Sequence, residues 1–456
     1  RLCLARSPDE CSAEEALSYI EAQKSRTLRD LILGETQSSE SSAGDTDFDL
    51  QLRTLRTDLN WYYHRLEQEQ LSQEPVLEKV DSLKRHARKC EQDLVHLLLE
   101  APASASLRAT LPDSSASTLN QIRRALGTEA ALLEYFAVGE QMYVAVITRE
   151  TAKFLWLAPS ASLAHRMRML QFQLSKFRLD PEYTTRFESA LQKAAKGHLQ
   201  ALNTDLIAPA EALLAGVRDL IIVPCGPLHS LPFHALFDGD RYLIDRCTIS
   251  YAPSASIFVH SHRPMGNVTG GSLILGVDDP GIPFVKEEVE SVAAAVPDPR
   301  LLFGSEASEA ALREYGRTSR FIHIASHGHF RPDSPMFSSV RLADAHLNLY
   351  DLYRMNLPVD LLTLSGCVTG LNAVVDGDEL LGLTRGLLYA GARTLLLSLW
   401  EVDDKSTSRF MSDFYSQLNH YSRKTDALRE AMLHLRKEHP HPYYWAPFKL
   451  IGRALA

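Results

Sequence analysis

Two short apolar runs, each stopping at one reactive side chain, constrain this chain more than any other feature in it. In Arg320–Phe330, RFIHIASHGHF, the run ends at His327; in Leu361–Gly370, LLTLSGCVTG, it ends at Cys367, forty residues further on. Apolar stretches of this length, bounded by small residues, read as buried strands that open into loops. As parallel neighbours they would deliver both side chains to one carboxyl edge of a sheet, where open α/β folds place their chemistry. A thiol beside an imidazole there suits nucleophilic acyl transfer.

The surrounding pattern supports such a sheet. From Gly271 onward, strand-like runs (SLILGV, LLFGSEAS, RFIHIASHG, DLLTLSGC, RTLLLSLW and a final PYYWAPFKLIG) alternate with helical periods at 285–296, from Ser308, at 380–389 and from Ser406. That alternation predicts an α/β fold, a mostly parallel sheet with helices on both faces. Upstream, runs at 130–138 and 141–148 flank Gly139-Glu140 as a hairpin, with a third strand at 151–157. Helical period over 160–215 is interrupted at Asp180-Pro181, and strands follow at 219–223 and 243–251. No nucleophile stands with a base in this earlier segment.

At 456 residues the chain exceeds what one core usually supports, which predicts two or three domains. We divide it into a helical region at 1–110, an N-terminal α/β half at 118–265 and a second α/β half at 266–456. Within the first, Ser12 and Glu15 form a capping-box pattern opening a helix over 12–33. Polar ETQSSESSAGDTD at 35–47 reads as a flexible loop. Leucine and aromatic spacing over 48–100, broken near Pro75, predicts an antiparallel helical hairpin, and 101–117 reads as a linker. The chain opens at Arg1 inside a helical pattern, so it reads as a piece of a longer protein.

A net charge of −9 argues against nucleic acid as a partner. The six cysteines make no CxxC pair, which points to a reducing, cytoplasmic setting. No apolar run reaches the ~20 residues of a membrane span.

Several blocks in order then resemble one family, the CHAT proteases, relatives of caspases and separases in the caspase-like cysteine peptidase clan. They are HIASHGHF at 323–330, LSGCVTG at 364–370, GLTRGLLYAGARTLLLSLWEVDD at 382–404, HPYYWAPFKLIG at 441–452 and, upstream, LIIVPCGPLHSLPFHALFDGDRYLIDRCTISYAPSAS at 220–256. The resemblance covers roughly 118–456. It implies a caspase-like catalytic half preceded by a pseudo-protease half, with Gly328 and Cys367 giving the backbone N–H groups of an oxyanion hole. The family often has an acidic residue where Cys225 stands. EALSYIEAQKSRTLRDLILG, near the amino end, resembles the last helix of a tetratricopeptide array.

The chemistry expected is peptide hydrolysis, with Cys367 as nucleophile and His327 as general acid and base. Neither a third triad residue nor a cofactor can be named from the sequence. His323, His327 and His329 share a strand face and offer a competing metal-site reading, but no carboxylate ligand lies at short spacing; no metal is expected. Asp403 and Asp404 follow a strand at the same edge and would make an acidic pocket for Lys or Arg. Asp376, Asp378 and Glu379 read as a polar loop after the nucleophile. Protein substrates and a regulatory protein bound through the N-terminal helices are the expected partners. The rival reading is a signalling scaffold whose protease half only binds.

Overall fold

The computed structural model describes residues 10–24, 47–70, 76–100, 117–178, 181–262, 270–329, 331, 337–366, 373–375, 379–381, 383–401 and 403–454. The chain divides into two compact units. One comprises residues 30–114 and 344–346, and the other holds the rest, including 1–29.

The smaller unit is the expected helical hairpin. Helix α2 (Asp47–Gln70) and helix α3 (Leu77–Glu100) fall on either side of Pro75 in sequence. Their pairing is antiparallel: Tyr62 stacks on His86 and Glu69 pairs with Lys79, so residue numbers rise in one helix as they fall in the other. Leu59, Val80, Leu83, Ala87 and Leu94 form its buried seam.

The larger unit is built on one eleven-stranded sheet. Its strands in chain order are β1 (Ala130–Val138), β2 (Gln141–Ile147), β3 (Ala152–Pro159), β4 (Asp219–Val223), β5 (Thr248–Tyr251), β6 (Ser272–Gly276), β7 (Pro299–Phe303) and β8 (Phe321–Ala325). Short strands β9 (Gly328–His329), β10 (Ser339–Arg341) and β11 (His346–Leu347) follow, then β12 (Leu361–Ser365), β13 (Ala373–Val375), β14 (Glu379–Leu381), β15 (Thr394–Ser398) and β16 (Phe448–Gly452). The sheet order is β3-β2-β1-β4-β5-β16-β15-β12-β8-β6-β7. Both α/β halves therefore share one sheet, joined where β16 pairs with β5.

Direction reverses inside that sheet. β7, β6, β8, β12 and β15 are parallel, β16 runs antiparallel to β15, and β5, β4 and β1 run with β16. The sheet is thus mostly parallel, and the carboxyl ends of the first half lie at the edge opposite those of the second. β6, β8, β12 and β15 are buried at every position, which explains their continuous apolar runs.

Helices flank the sheet: α1 (Glu10–Gln23), α4 (Leu119–Ala125), α5 (Ser160–Ser175), α6 (Pro181–Leu206), α7 (Ala255–Ser261), α8 (Val285–Ala295), α9 (Glu309–Tyr315), α10 (Leu349–Tyr353), α11 (Leu383–Tyr389), α12 (Asp404–Leu418), α13 (Lys424–Glu438) and α14 (Pro442–Trp445). Helix α1 starts two residues before Ser12, and it docks on the first half instead of joining the helical hairpin. Its Glu21 accepts from the Ala255 and Ser256 amides at the start of α7 (3.0 and 2.7 Å), and Lys24 donates to the Tyr135 carbonyl (2.6 Å). The strand expected over 243–251 is shorter, since Leu243–Asp245 form a 3-10 turn closed by Asp245 against the Tyr242 amide.

Candidate active site

Register places the candidate residues. β8 pairs with β12 so that Ala325 lies opposite Ser365, and the Ser326 amide donates to the Ser365 carbonyl (3.0 Å). His327 thus leaves the sheet two residues past one member of that pair, and Cys367 stands two residues past the other in sequence. Cys367 lies outside the described residues, as do Asp376 and Asp378; the described chain reaches Gly366, its immediate predecessor.

Gly366 is held from both sides. Its carbonyl accepts from the Ser398 hydroxyl (2.5 Å). A Cβ there would sit 2.1 Å from the Ser326 carbonyl oxygen and 3.2 Å from the Gly328 nitrogen, so only glycine fits. This sets Gly366 itself against the Gly328 amide, one of the two expected oxyanion donors.

Neighbouring β6 contributes the residue the sequence did not reveal. Asp279 follows it and is 4% exposed. Its carboxylate faces His327 Nε2 at 3.3 Å, accepts from the Gly281 amide at 2.7 Å and pairs with the Arg341 guanidinium. Burial pushes this carboxyl up, but the Gly281 amide, His327 and Arg341 outweigh it and hold the group below its usual range. A carboxylate at this distance orients the imidazole through Nε2. Arg341 also acts through its backbone, its amide donating to the His327 carbonyl (3.0 Å). One residue of β10 thereby fixes both partners.

Beside His327, which is one-third exposed (33%), a cavity of about 30 Å³ is lined by Glu288, Ser365, Gly366, Ser398, Asp404 and Phe448 among others. The two aspartates expected to form a pocket divide. Asp403 is exposed and caps α12, accepting from the Ser406 amide at 2.9 Å. Asp404 lines the cavity, and its carboxylate accepts from the Phe284 amide at 2.7 Å. Burial raises its affinity for a proton, with the Phe284 amide opposing and Glu288 reinforcing the shift.

The profile of the CHAT domain matches residues 196–453, more than half of the chain. The chain belongs to the CHAT domain family. Across 96% of its length it is similar to human tetratricopeptide repeat protein 28 at 25% identity, and to the mouse protein of that name at the same identity and coverage. It spans about a fifth of those relatives, 21% and 22%. Two structures of the Saccharomyces cerevisiae separase–securin complex are similar in fold. Their TM-scores are 0.53 and 0.54 at 11% and 12% identity, covering 91% and 99% of this chain and 34% and 36% of theirs. The fold is therefore similar to that of those structures, a mostly parallel sheet flanked by helices, as the sequence blocks implied.

Around the CHAT-domain site, the remaining histidines take separate roles. His323 is buried, with Nε2 2.9 Å from Glu288 and its ring edge-on to Tyr415. His329 is exposed on β9, across from Ser339 of β10. His323 and His327 thus go to different carboxylates. The signal for Asp279 was its place at the end of SLILGV, a third strand opening at the same carboxyl edge. β6 and β8 also bracket the point where the strand order turns outward to β7, the usual position for a ligand crevice.

Proposed function

We propose that this CHAT domain is a cysteine endopeptidase acting on protein substrates. Cys367 is the nucleophile, His327 the general acid and base, and Asp279 the positioning residue that orients the imidazole. The amides of Gly328 and Cys367 receive the oxyanion. The observation that carries this reading is the ionised Asp279 against His327 at the edge where Gly366 leads into Cys367.

In this reaction His327 takes the thiol proton, the thiolate attacks the peptide carbonyl, and the two amides stabilise the charge that develops on oxygen. His327 then returns the proton to the departing amine, and water hydrolyses the thioester. Positioned proton transfer supplies roughly 10²–10⁴-fold. Asp404 would favour a Lys or Arg side chain before the cleaved bond, while Asp403 serves the helix cap. A partner bound through the N-terminal helices would govern access, and the reducing cytoplasm would keep Cys367 active.

Mapping cleaved proteins in a cell lysate by mass spectrometry tests this, comparing the chain with Cys367→Ala. Cuts present with the parent and lost in the variant support the reading, and enrichment of Lys or Arg before the cut supports the Asp404 pocket. The same cuts in both samples would refute it.

A further inference from the structure

The rim opposite the candidate active site carries a row of charge that the protease reading does not use. Arg320, Asp360 and Arg393 immediately precede β8, β12 and β15, and Arg453 immediately follows β16, which runs the other way. All four therefore lie at one edge of four adjacent strands. That edge is also the carboxyl edge of β16 and β5, the kind of edge at which open α/β sheets bind ligands.

Arg393 and Arg453 are the unusual pair. Thr394 lies opposite Gly452, so the two arginines occupy the next facing positions, and the Arg453 amide donates to the Arg393 carbonyl (3.2 Å). Like charges directly opposite one another across strands are destabilising. Burial, and then the charge of Arg453, lower the proton affinity of Arg393 against the opposing charge of Asp360. Arg453 Nε is buried with no hydrogen-bond partner among the described residues.

More positive charge lies close by. Lys424, wholly buried, places its ammonium 3.0 Å from Asp360, and Arg320 stands 3.6 Å from the same carboxylate. His262, at the end of α7, feels the same field: burial and the charges of Arg453, Arg393 and Lys424 lower its pKa against the opposing Phe258 carbonyl. Asp360 is thus the carboxylate that Lys424 and Arg320 share, and its charge reaches Arg393 as well.

We propose that Arg393 and Arg453, with Arg320 and Lys424 beside them, form a binding site for a compact phosphate-bearing anion. Planar guanidinium forks match phosphate oxygens in pairs, and an anion between them converts their repulsion into charge-assisted hydrogen bonds. All three arginines are half-buried at the rim, which suits a small polyphosphate over an extended polyanion. The inference is independent of proteolysis, because its readout is binding.

The test titrates the full chain with tripolyphosphate against chloride at matched ionic strength, by calorimetry and thermal unfolding. Saturable binding and a rise in Tm are expected. Arg453→Gln and Arg393→Gln should each weaken binding roughly ten- to hundred-fold, while Arg149→Gln, at an exposed turn, leaves it unchanged. Without anion, the two site variants should melt no lower than the parent, because repulsion is relieved. Nucleoside triphosphate and inorganic tripolyphosphate as separate probes identify the source, and binding of either one supports the site. Affinity equal in parent and site variants, or no saturable response, overturns the proposal. So does a phosphoserine peptide binding more tightly than tripolyphosphate.

Discussion

At the scale of single residues, the site depends on close approaches. Asp279 touches the imidazole and is expected to leave the chemistry to His327, so Asp279→Asn should lower kcat about 10–100-fold with little change in KM. Steady-state kinetics on a peptide identified from the lysate cuts measures that split, and an equal rise in KM would instead indicate lost substrate binding. Gly366→Ala must displace the Ser326 carbonyl, only 2.1 Å from the new methyl group. It should abolish turnover while the protein still folds, which circular dichroism and the same assay together would reveal. His327 and Gly328 were legible because a reactive side chain and a glycine interrupt an apolar run. Asp279 was not, since GVDDPG has the composition of any turn and its partner lies 48 residues downstream.

At the scale of elements, strand interiors were the most readable part of the chain. SLILG, FIHIA, LLTLS and TLLLS are buried on both faces and read as strands from their short continuous apolar runs bounded by turn residues. Boundaries were harder where a local hydrogen bond competes with the ladder. Asp245, bonded to the Tyr242 amide, turns Leu243–Asp245 into a helical turn within an apolar run that otherwise reads as strand. The placement of α1 was also hidden, because an amphipathic helix does not announce which surface it will cover. Its attachment can be weighed directly: Glu21→Gln removes a buried carboxylate that receives two amides of α7. A loss of about 1–3 kcal/mol is expected from urea unfolding.

At the scale of the whole molecule, acid sensitivity should come from buried histidines before it comes from carboxylates. Burial lowers the His234 and His441 imidazoles to about 4 in each case, against slight opposition from backbone hydrogen bonds. Above the unfolded value of about 6.5 both states are neutral and stability is complete. As pH falls from there to about 4 the unfolded chain gains protons first, so each histidine withdraws stability on the order of 3 kcal/mol. Asp279 has a depressed pKa and gives way only below the ordinary carboxylate range. Urea melts at pH 7, 5.5 and 4.5 should show the decline, and His234→Gln with His441→Gln should flatten it. The reversal of direction between β15 and β16 has a last consequence. Overlaying one half on the other requires turning it end for end within the sheet plane, so the edge that holds His327 is formed by strand tips in one half and by strand origins in the other. A crevice at the strand tips of the first half would therefore open at the edge opposite His327.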